Sequence, residues 1–428
     1  MSEKIPHINS EEFTKEVLES SKPVIIDFYS EDCAPCEVLA PIYEKMESKY
    51  GEHIKFVKMF RQANKDFAKS INVTSSPTVL FYKDGKEVGL RLNGFLNKPQ
   101  VRIAIEEILG EVLPNEETKR VDCDVLILGA GAAGLSSAIY SSRAKMKTVI
   151  VDESVPGGQV AATYHIANYP GTPGVVKGKE IIKNMREQAI SSGTIIDDLK
   201  EISEINLKGN IKYLRTEDTE YYAKAVIIAS GAKPRSLPAE NADEFKGKGI
   251  HYCATCDGSM YENRKIVVIG GGDSAVEEAV FLTRFASHIT IISKYSFLKA
   301  SKTAQEGALK NEKIDVIWDS EVLKVNGEGH ALTSVVIENQ NTKEVSEIPT
   351  EGAFVYIGTE PMSAMFKHQI TVDKLGYIIA SEDTKTNVEG VFVAGDIRTK
   401  LIRQVVTAAS DGAVAGIMAE RYIVSHNF

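Results

Sequence analysis

Two pairs of cysteines are the residues of this chain whose type and spacing could do chemistry. Cys33 and Cys36 lie in the stretch SEDCAPCEVLAP, and Cys253 and Cys256 lie in HYCATCDGS. This C-x-x-C spacing suits a metal hook, a structural crosslink, or a dithiol that gains and loses electrons. Any interpretation has to explain why one polypeptide carries both pairs.

The spacing of the pairs argues against a metal site. A zinc ribbon requires its second pair within about 15 to 20 residues of the first, and these pairs lie far outside that range. Neither pair has a histidine at ligand spacing on its far side. We therefore predict no metal ligands. The fifth cysteine, Cys123, starts the apolar run CDVLIL and is predicted to be a small buried hydrophobe.

Composition excludes several classes of function. The chain has 428 residues, of which 43% are hydrophobic and 25% charged, as in an ordinary globular protein of two to four domains. Its 50 basic and 59 acidic side chains give a net charge of -9, which disfavours binding to nucleic acid or an anionic membrane. The stretch MSEKIPHINS lacks a signal-peptide pattern, and no apolar run approaches the ~20 residues of a membrane span. The expected location is the cytoplasm.

The first pair belongs to a region that alternates helix and strand. PVIIDFYS and IKFVKMF predict strands, the segment after Ala34 predicts a helix with Pro41 inside it, and PTVLFYKDGKEVGLRLNG predicts a hairpin turning at Asp84-Gly85. We predict an α/β domain over 1–110. The polar stretch EVLPNEETKR, 111–120, is then a linker that could reach about 35 Å when extended. The first domain is therefore expected to swing.

Two strand–glycine–helix openings follow the linker. VLILGAGAAGLSSAIYSS contains Gly129, Gly131 and Gly134, and IVVIGGGDSAVEEAVFL contains Gly270, Gly272, Asp273 and Ser274. Each directly follows an apolar strand and precedes a helical pattern, which is the context of a dinucleotide-binding fingerprint. The glycines permit a tight turn and close approach of a pyrophosphate to the start of the helix. The sequence therefore predicts two Rossmann-like dinucleotide sites.

Acidic residues indicate which dinucleotide the first site binds. Asp152 ends the second strand, TVIVDE, about 20 residues after the glycines, where an acid holds ribose hydroxyls. Far along the chain, GVFVAGDIRTK places Gly395 and Asp396 directly after another strand, a position suited to a sugar or ribitol hydroxyl. This pairing of distant segments suggests FAD.

Four stretches together resemble the low-molecular-weight thioredoxin reductase family. They are VPGGQVAATYHIANYPG, HYCATCDG, GGGDSAVEEA and AGDIRTKLIRQVVTAASDG, and the likeness covers roughly 121–428 with all motifs in order. The resemblance implies an FAD domain, 121–236 and 357–428, interrupted by a nicotinamide-nucleotide domain, 237–356, that carries the second cysteine pair. The resemblance also implies which positions line the flavin, namely Gly158, Gln159, Asn168, Asp396, Arg403 and Gln404.

The resemblance leaves the electron donor open. The strand ITIIS ends at Ser293, where an NAD-specific protein would present an acid, and Lys294 and Lys299 follow where NADPH-using relatives have arginines. Lysine can hold a 2′-phosphate as a point charge but lacks the planar fork of arginine. NADPH is the first expectation and NADH the second. A third is a pocket without nicotinamide specificity, with a donor such as ferredoxin.

The second cysteine pair matches the active disulfide of the reductase family. The resemblance implies that one of Cys253 and Cys256 attacks a partner disulfide while the other resolves the mixed intermediate, and either order remains open. Asp257 would manage the proton of the departing thiol or of the reduced flavin. His251 is expected to be a hydrogen-bonded neutral residue without a catalytic role.

The first pair lies in a segment that resembles thioredoxin. The likeness runs through VIIDFYS, Cys33-Ala34-Pro35-Cys36 and the SSPT stretch, and it implies that Pro77 is a cis proline facing the disulfide. Cys33, at a helix start, is expected to be the nucleophile and Cys36 the resolving thiol. Asp27 matches the buried acid beneath that disulfide, a candidate proton acceptor for Cys36.

Three positions depart from the thioredoxin pattern. Asp32 and Tyr29 stand where the family usually has tryptophan, and Ala34 replaces a glycine. A shift of about 30 mV in reduction potential already moves an exchange equilibrium about tenfold, so the potential is open. Asp32 also places a negative charge where thioredoxin meets its clients, which favours a narrow choice of client.

The sequence therefore predicts a thioredoxin fused to its own reductase. Electrons would pass from a reduced nicotinamide to FAD, to Cys253/Cys256, to Cys33/Cys36 and then to client disulfides; the resemblance also implies a homodimer. One alternative is a peroxiredoxin reductase of the AhpF type, whose thioredoxin-like part is normally a double domain. An alternative of another class is a flavin-bound redox sensor without turnover.

Overall fold

A computed structural model describes most of the chain. The described residues are 5–31, 33–94, 96–113, 118–154, 157–163, 166, 168–328 and 331–427, and four further side chains, those of Ala34, Ala162, Thr255 and Cys256, lie outside the description. The predictions on Asp32 and on the centre of the linker fall outside these residues. The chain divides into two compact units, one formed by the residues up to Ala232 and from Pro361 onwards, the other by Lys233–Glu360.

The first unit begins with a four-stranded sheet flanked by helices. The strands are β1 (Val24–Tyr29), β2 (Lys55–Phe60), β3 (Thr78–Lys83) and β4 (Lys86–Asn93), in the order β2-β1-β3-β4. The helices are α1 (Ala34–Tyr50), α2 (Lys65–Ser70) and α3 (Lys98–Leu109), after a π-helical turn at Thr14–Leu18. β1 pairs parallel with β2 and antiparallel with β3. Apolar clusters fill both faces of this sheet.

The hairpin between β3 and β4 turns at the two predicted residues. Asp84 and Gly85 both have positive φ, at 53° and 74°, as a tight two-residue turn requires. α3 ends at Gly110 in the left-handed conformation, which is the usual helix stop. The prediction of the hairpin turn is confirmed.

A larger sheet follows in the same unit. Its first elements are β5 (Lys119–Leu128), β6 (Thr148–Val151), β7 (Ile195–Asp197), β8 (Ile202–Asn206), β9 (Lys212–Thr216) and β10 (Thr219–Ile228), with helices α4 (Ala132–Arg143), α5 (Gly158–Ala162) and α6 (Gly178–Ser191). β7, β6, β5 and β10 lie side by side and parallel. β5 begins at Lys119, inside the segment predicted to be linker.

The second unit contains a five-stranded parallel sheet and a small antiparallel one. Two short strands, β11 (Ala232–Pro234) and β20 (Thr359–Pro361), lie at its boundaries, with Ala232 and Pro361 counted in the first unit. Between them come β12 (Ile250–His251), α7 (Ala254–Asp257), β13 (Lys265–Ile269), α8 (Asp273–Leu282), β14 (His288–Ile292), α9 (Lys302–Leu309), β15 (Ile314–Ile317), β16 (Ser320–Glu328), β17 (Ala331–Asn339), β18 (Val345–Pro349) and β19 (Gly352–Val355). The parallel sheet has the order β12-β19-β13-β14-β15, and apolar clusters cover both its faces. Such doubly covered parallel sheets are typical of nucleotide-binding folds.

The chain then returns to the first unit and completes its larger sheet. β21 (Val391–Val393) pairs parallel with β10, and α10 (Val405–Ser425) packs along α4. The fold class predicted from sequence, an α/β thioredoxin fold followed by Rossmann-like dinucleotide-binding regions, is confirmed. Within the described residues, no helix has the length and apolar character needed to cross a membrane.

Candidate active site

The first cysteine pair forms a disulfide at the start of a helix. Cys33 and Cys36 are bonded, and Cys33 is the residue that caps α1. The Cys36 N–H points at Cys33 Sγ from 3.3 Å, so a thiolate at Cys33 would receive a hydrogen bond and the positive end of the helix dipole. Cys33 is half-buried whereas Cys36 is only 7% exposed. This geometry favours Cys33 as the attacking sulfur.

A cis peptide lies beside this disulfide. The Ser76–Pro77 bond is cis, and the Ser76 carbonyl oxygen lies 3.5 Å from Cys33 Sγ. Arg61 Nε donates to Ser76 Oγ at 2.7 Å, and the hydroxyls of Ser30 and Ser76 are 2.8 Å apart. Arg61 and Ser76 thus hold the loop that carries Pro77, a function that no sequence pattern signalled.

Asp27 is an isolated carboxyl group in the middle of β1. Its side chain is 2% exposed, and Oδ1 has no hydrogen-bond partner in the described structure. Burial raises the pKa of Asp27 to about 7, and the charge of Lys58 on β2 opposes that rise only in part. A carboxyl group that titrates near neutral pH can accept and return a proton, which is the function predicted for this residue.

The first glycine fingerprint forms an open cradle between β5 and α4. Gly129 has φ +107°, and a Cβ on Gly134 would lie 1.8 Å from the Gly129 carbonyl oxygen, so these positions tolerate no side chain. A Cβ on Gly131 would meet nothing within 4 Å, and one on Gly158 would meet only Gly131. The structure therefore brings the predicted Gly158 to the open side of the cradle. This space at a helix N-terminus fits a pyrophosphate.

Asp152 lies directly against this cradle. Its Oδ2 accepts the N–H of Ala130, between Gly129 and Gly131, at 2.5 Å, and its Oδ1 accepts the N–H and hydroxyl of Ser154 at 2.7 Å. Burial raises the pKa of Asp152, while these hydrogen bonds oppose the rise. The remaining lone pairs of the carboxylate are the ones that could hold a ribose.

Asp396 supplies the clearest sign of a missing polar partner. It follows β21 and Gly395, and its buried Oδ1 accepts no hydrogen bond from any described residue. Burial raises the pKa of Asp396, and Lys400 and Arg403 counteract it. Because an unpaired buried carboxylate oxygen is costly, a hydroxyl donor from a ligand fits this position. The chemistry agrees with the ribitol of FAD.

Other predicted flavin residues meet around the same segment. Arg403 Nε donates to the Asp396 carbonyl at 3.3 Å, and its guanidinium lies over Tyr377 at 4.0 Å. Asn168 Nδ2 donates to Gln404 Oε1 at 3.2 Å, which joins segments 236 positions apart in the chain. Gln159 donates to the Ala232 carbonyl. Arg403 thus lies against Asp396, and Asn168 reaches Gln404, the residue after Arg403, as a flavin site at this segment would require.

The second cysteine pair lies at the short helix α7 of the second unit. Cys253 is disulfide-bonded and caps α7, whereas the side chain of Cys256 lies outside the described part. Asp257, at the end of α7, lies with Oδ2 2.9 Å from His251 Nδ1. His251 Nε2 is 2.7 Å from the hydroxyl of Tyr261, and its ring stacks on Phe354. His251 is thus a buried residue that fixes the orientation of the predicted acid.

The second glycine fingerprint has the same design. Gly270, with φ +138°, starts the turn from β13 to α8, and a Cβ on Gly272 would meet nothing within 4 Å. Asp273 begins α8, and its Oδ1 accepts the Ser301 N–H at 2.7 Å. Ser274 is the second residue of α8, and its side chain is exposed. This cradle also leaves space for a pyrophosphate.

The predicted phosphate-binding residues are only partly suited to that task. Ser293 is fully buried and donates to the Tyr295 carbonyl at 3.0 Å, so its hydroxyl is turned into the protein. Lys294 forms an ion pair with Glu321 at 2.6 Å. The Lys299 N–H donates to the Gly271 carbonyl at 2.6 Å, and its ammonium lies 3.8 Å above the ring of Tyr295. Of the two lysines predicted to bind a phosphate, Lys299 is the one whose backbone is hydrogen-bonded to the glycine turn.

Comparison with known proteins agrees with both halves of this description. Residues 123–412 match the family described as pyridine nucleotide-disulphide oxidoreductase, and residues 4–107 match thioredoxin. The chain belongs to the pyridine nucleotide-disulphide oxidoreductase family. It is 45% identical to the thioredoxin reductase of Peptoclostridium acidaminophilum over 308 residues, which are 70% of this chain and 96% of that protein.

A solved structure supports the same placement. The crystal structure of Lactococcus lactis thioredoxin reductase in its FR conformation superposes with a TM-score of 0.69 at 40% identity, covering 71% of this chain and 99% of that one. The similar "34.2 kDa protein in rubredoxin operon" of Clostridium pasteurianum is 46% identical over 300 residues. The chain is therefore a flavin-dependent oxidoreductase of the thioredoxin reductase group with an N-terminal thioredoxin domain.

Asp411 has a structural role in this family region that the sequence did not indicate. Asp411, on α10, accepts the Gly395 N–H at 3.0 Å and pairs with Arg398 and Lys400, each at 2.7 Å. It thereby holds the turn that presents Asp396. Asp411 lies within the quoted run AGDIRTKLIRQVVTAASDG, but nothing in its spacing indicated that it folds back onto the glycine at the start of that run.

We predict that Asp27→Asn stabilises the thioredoxin domain at pH 8 but not at pH 4. Because burial raises the pKa of Asp27 from 3.8 to about 7, the folded domain keeps a proton that the unfolded domain releases in that interval. Wild-type stability therefore falls as pH rises through the interval and stays low above it, whereas asparagine does not titrate. The gain should reach about 4 kcal/mol at most.

The measurement is urea unfolding at several pH values, followed at β1 by peptide-resolved hydrogen exchange. Asp84→Asn, on an exposed turn, is the control and should follow the wild type at every pH. A pH-independent difference between Asp27→Asn and the wild type would contradict the assigned titration.

We also predict that Asp396→Ala weakens flavin binding. Loss of a charged acceptor costs about 1.5–3 kcal/mol, which corresponds to roughly ten- to hundredfold in affinity. The readout is flavin absorbance relative to protein absorbance after extensive dialysis, followed by titration of the apoprotein with FAD. Glu382→Gln, an exposed change in the same unit, should retain flavin as the wild type does. Equal retention by both variants would exclude Asp396 as a flavin ligand.

Proposed function

We propose that the chain is a thioredoxin reductase that reduces its own thioredoxin domain. Electrons pass from a reduced nicotinamide nucleotide, with NADPH favoured, through FAD to Cys253/Cys256, then to Cys33/Cys36, and finally to disulfides of client proteins. The observation that carries the proposal is the presence, in one polypeptide, of a helix-capping disulfide in a thioredoxin domain and a disulfide-bonded Cys253 in a reductase region.

The chemistry at the cysteines is two-electron exchange. FAD, when bound, supplies the two-electron transfer that converts the Cys253/Cys256 disulfide into a dithiol. One thiolate of that pair attacks Cys33 Sγ, which breaks the Cys33–Cys36 bond, forms a mixed disulfide and releases the Cys36 thiolate. The second sulfur of the pair then attacks the mixed disulfide and releases Cys33. The reductase disulfide is restored, and the thioredoxin domain holds both electrons.

Protons follow the sulfurs. Asp27, which titrates near neutral pH, takes the proton of Cys36 when that thiol resolves a client adduct. Asp257, oriented by His251, accepts or returns a proton at the second pair. Cys33, held by the Cys36 N–H at the start of α1, is the sulfur that attacks clients.

Because the thioredoxin domain and the reductase region are covalently joined, weak binding between them is sufficient for electron transfer. Covalent tethering raises the local concentration of one module at the other to the mM scale, so the thioredoxin domain needs no tight affinity for the reductase disulfide. We also infer a homodimer, as the family resemblance implies, in which the thioredoxin domain serves its own or the neighbouring subunit.

A second candidate concerns the electron donor. Glu321 pairs with Lys294 and so neutralises one of the two cations predicted to hold a 2′-phosphate. This pairing favours NADH, or a donor such as ferredoxin, over NADPH. The disulfide relay is the same for all three donors, because the donor only supplies electrons to the flavin and takes no part in the later steps.

The relay order predicts that the variant Cys33→Ser affects flavin reduction and client reduction differently. Cys33→Ser should leave anaerobic bleaching of the flavin by the donor unchanged, because in the proposed relay that step precedes any transfer of electrons to Cys33. It should abolish reduction of insulin, whereas the wild type reduces it. The measurement combines stopped-flow flavin absorbance with insulin turbidity. Insulin reduction that persists in Cys33→Ser would refute the relay, and wild-type turnover with a peroxiredoxin but not with insulin would favour a peroxiredoxin reductase.

The donor assignment predicts opposite effects of two charges. Lys299→Ala should raise the KM for NADPH about tenfold and leave the KM for NADH unchanged, since one charge-assisted contact is lost. Glu321→Gln should lower the KM for NADPH by freeing Lys294. Lys302→Ala, an exposed lysine at the start of α9, is the control. If neither change separates the two nucleotides, these lysines do not bind a phosphate.

A further inference from the structure

Three cations of the thioredoxin domain contact the flavin region. Lys98 starts α3, Arg102 lies one turn further, and Lys45 is on α1. Lys98 is only 4% exposed, although lysine is almost never buried without a partner. Its partners all belong to the flavin region. The burial of Lys98 therefore requires the two parts of the first unit to be together.

The partners of these cations form an acidic receptor. Lys98 pairs with Glu217 and donates to the Leu199 carbonyl at 2.8 Å. Arg102 makes a two-pronged contact with Glu201, with Nε 3.1 Å from both carboxylate oxygens. Lys45 donates to the carbonyl oxygens of Asp198 and Leu199 at 3.2 and 3.0 Å. The cations lie on one part and the acids and carbonyls on the other, so the surfaces are complementary in charge.

A leucine of the flavin region completes the contact. Leu199 is 4% exposed and belongs to the apolar cluster of the thioredoxin domain, beside α1 and α3 residues. The backbone of Leu199 has φ +54°, in the left-handed region. Bulky residues rarely adopt this conformation. Such strain persists only where surrounding contacts over-determine it. We therefore infer that packing of the Leu199 side chain in the thioredoxin domain maintains this backbone conformation of the loop.

Residues 217 and 218 of the flavin region hold the loop that carries Leu199. The Glu201 N–H donates to Glu217 Oε2 at 2.7 Å, and Lys200 pairs with Asp218 at 2.6 Å. On the thioredoxin side, Arg102 also contacts Glu106, whose other oxygen accepts the hydroxyl of Tyr50 at 2.7 Å. Both faces are thus pre-organised, which reduces the entropy lost on docking.

We propose that residues 197–201 and Glu217 form a docking site for the thioredoxin domain of the same chain. The polar stretch 111–120 predicted an arm that swings freely, whereas these contacts define one docked position to which the arm returns between transfers. The docked position also sets Glu37, the residue after Cys36, 3.1 Å from Lys179 on α6 of the flavin region. This exposed ion pair adds a contact between the redox-active end of α1 and the flavin region.

The test measures hydrogen exchange in the full-length chain. Lys98→Glu should accelerate exchange about tenfold in the first turn of α3 and in residues 197–201, because it places like charges together in a buried contact. Amides of β1 and β5, in the two sheets, should stay unchanged and so report intact folding. Lys69→Glu, the same charge change at an exposed position of α2, is the matched control.

Two further variants separate the dock from local effects. Combining Lys98→Glu with Glu217→Lys should restore part of the protection, which a general folding defect would not allow. Leu199→Gly accepts the positive φ but removes the side chain, so it should accelerate exchange in α1 and α3 of the thioredoxin domain.

Three results would overturn the proposal. The first is wild-type exchange at α3 and 197–201 as fast as in Lys98→Glu. The second is no difference between Lys98→Glu and Lys69→Glu. The third is protection that depends on protein concentration, which would mean that the site receives the thioredoxin domain of another copy.

Discussion

Thiol–disulfide exchange transfers electrons only when two sulfurs come into direct contact, and this requirement constrains the whole chain. One redox-active disulfide lies in the first compact unit and the disulfide-bonded Cys253 lies in the second. In the proposed relay, Cys33 and Cys36 must meet first the reductase disulfide and then an external client, so one fixed position of the thioredoxin domain cannot serve both steps. The polypeptide therefore needs contacts that hold its parts and contacts that release them.

The docking contacts have the energetics of a reversible attachment. A buried ion pair such as Lys98–Glu217 gains little net free energy, since desolvation of both charges offsets their attraction. Burial of Leu199 contributes about 1.5–3 kcal/mol, reduced by the strain of its positive φ. The covalent connection lowers the entropy of association, so a net stabilisation of this size populates the docked state without trapping it. Selectivity comes from the pairing of charges, because a mismatch would leave Lys98 buried and unpaired.

The amino-acid sequence predicted those features that are determined by a few neighbouring residues. The cysteine pairs, both glycine cradles, the hairpin at Asp84-Gly85 and the stop at Gly110 each follow from a few adjacent residues. Asp27 was predictable because an acid inside an apolar strand demands a reason. Asp411 and Leu199 act through partners distant in sequence or through a backbone conformation that their type does not suggest. Their contacts exist only after the chain has folded, so one sequence carries no sign of them.

The docking loop and the first dinucleotide cradle share a hydrogen-bonded segment. The Asp152 N–H donates to the Asp197 carbonyl at 3.0 Å, and the Lys200 N–H donates to the Asp152 carbonyl at 3.0 Å. The residues on either side of Leu199 are thus attached to the backbone of the acid that faces the fingerprint glycines. A displacement of the loop on departure of the thioredoxin domain would therefore disturb the hydrogen bonds of the Asp152 backbone. Because such coupling is reciprocal, a ligand that fixes Asp152 also fixes the loop that receives Lys98.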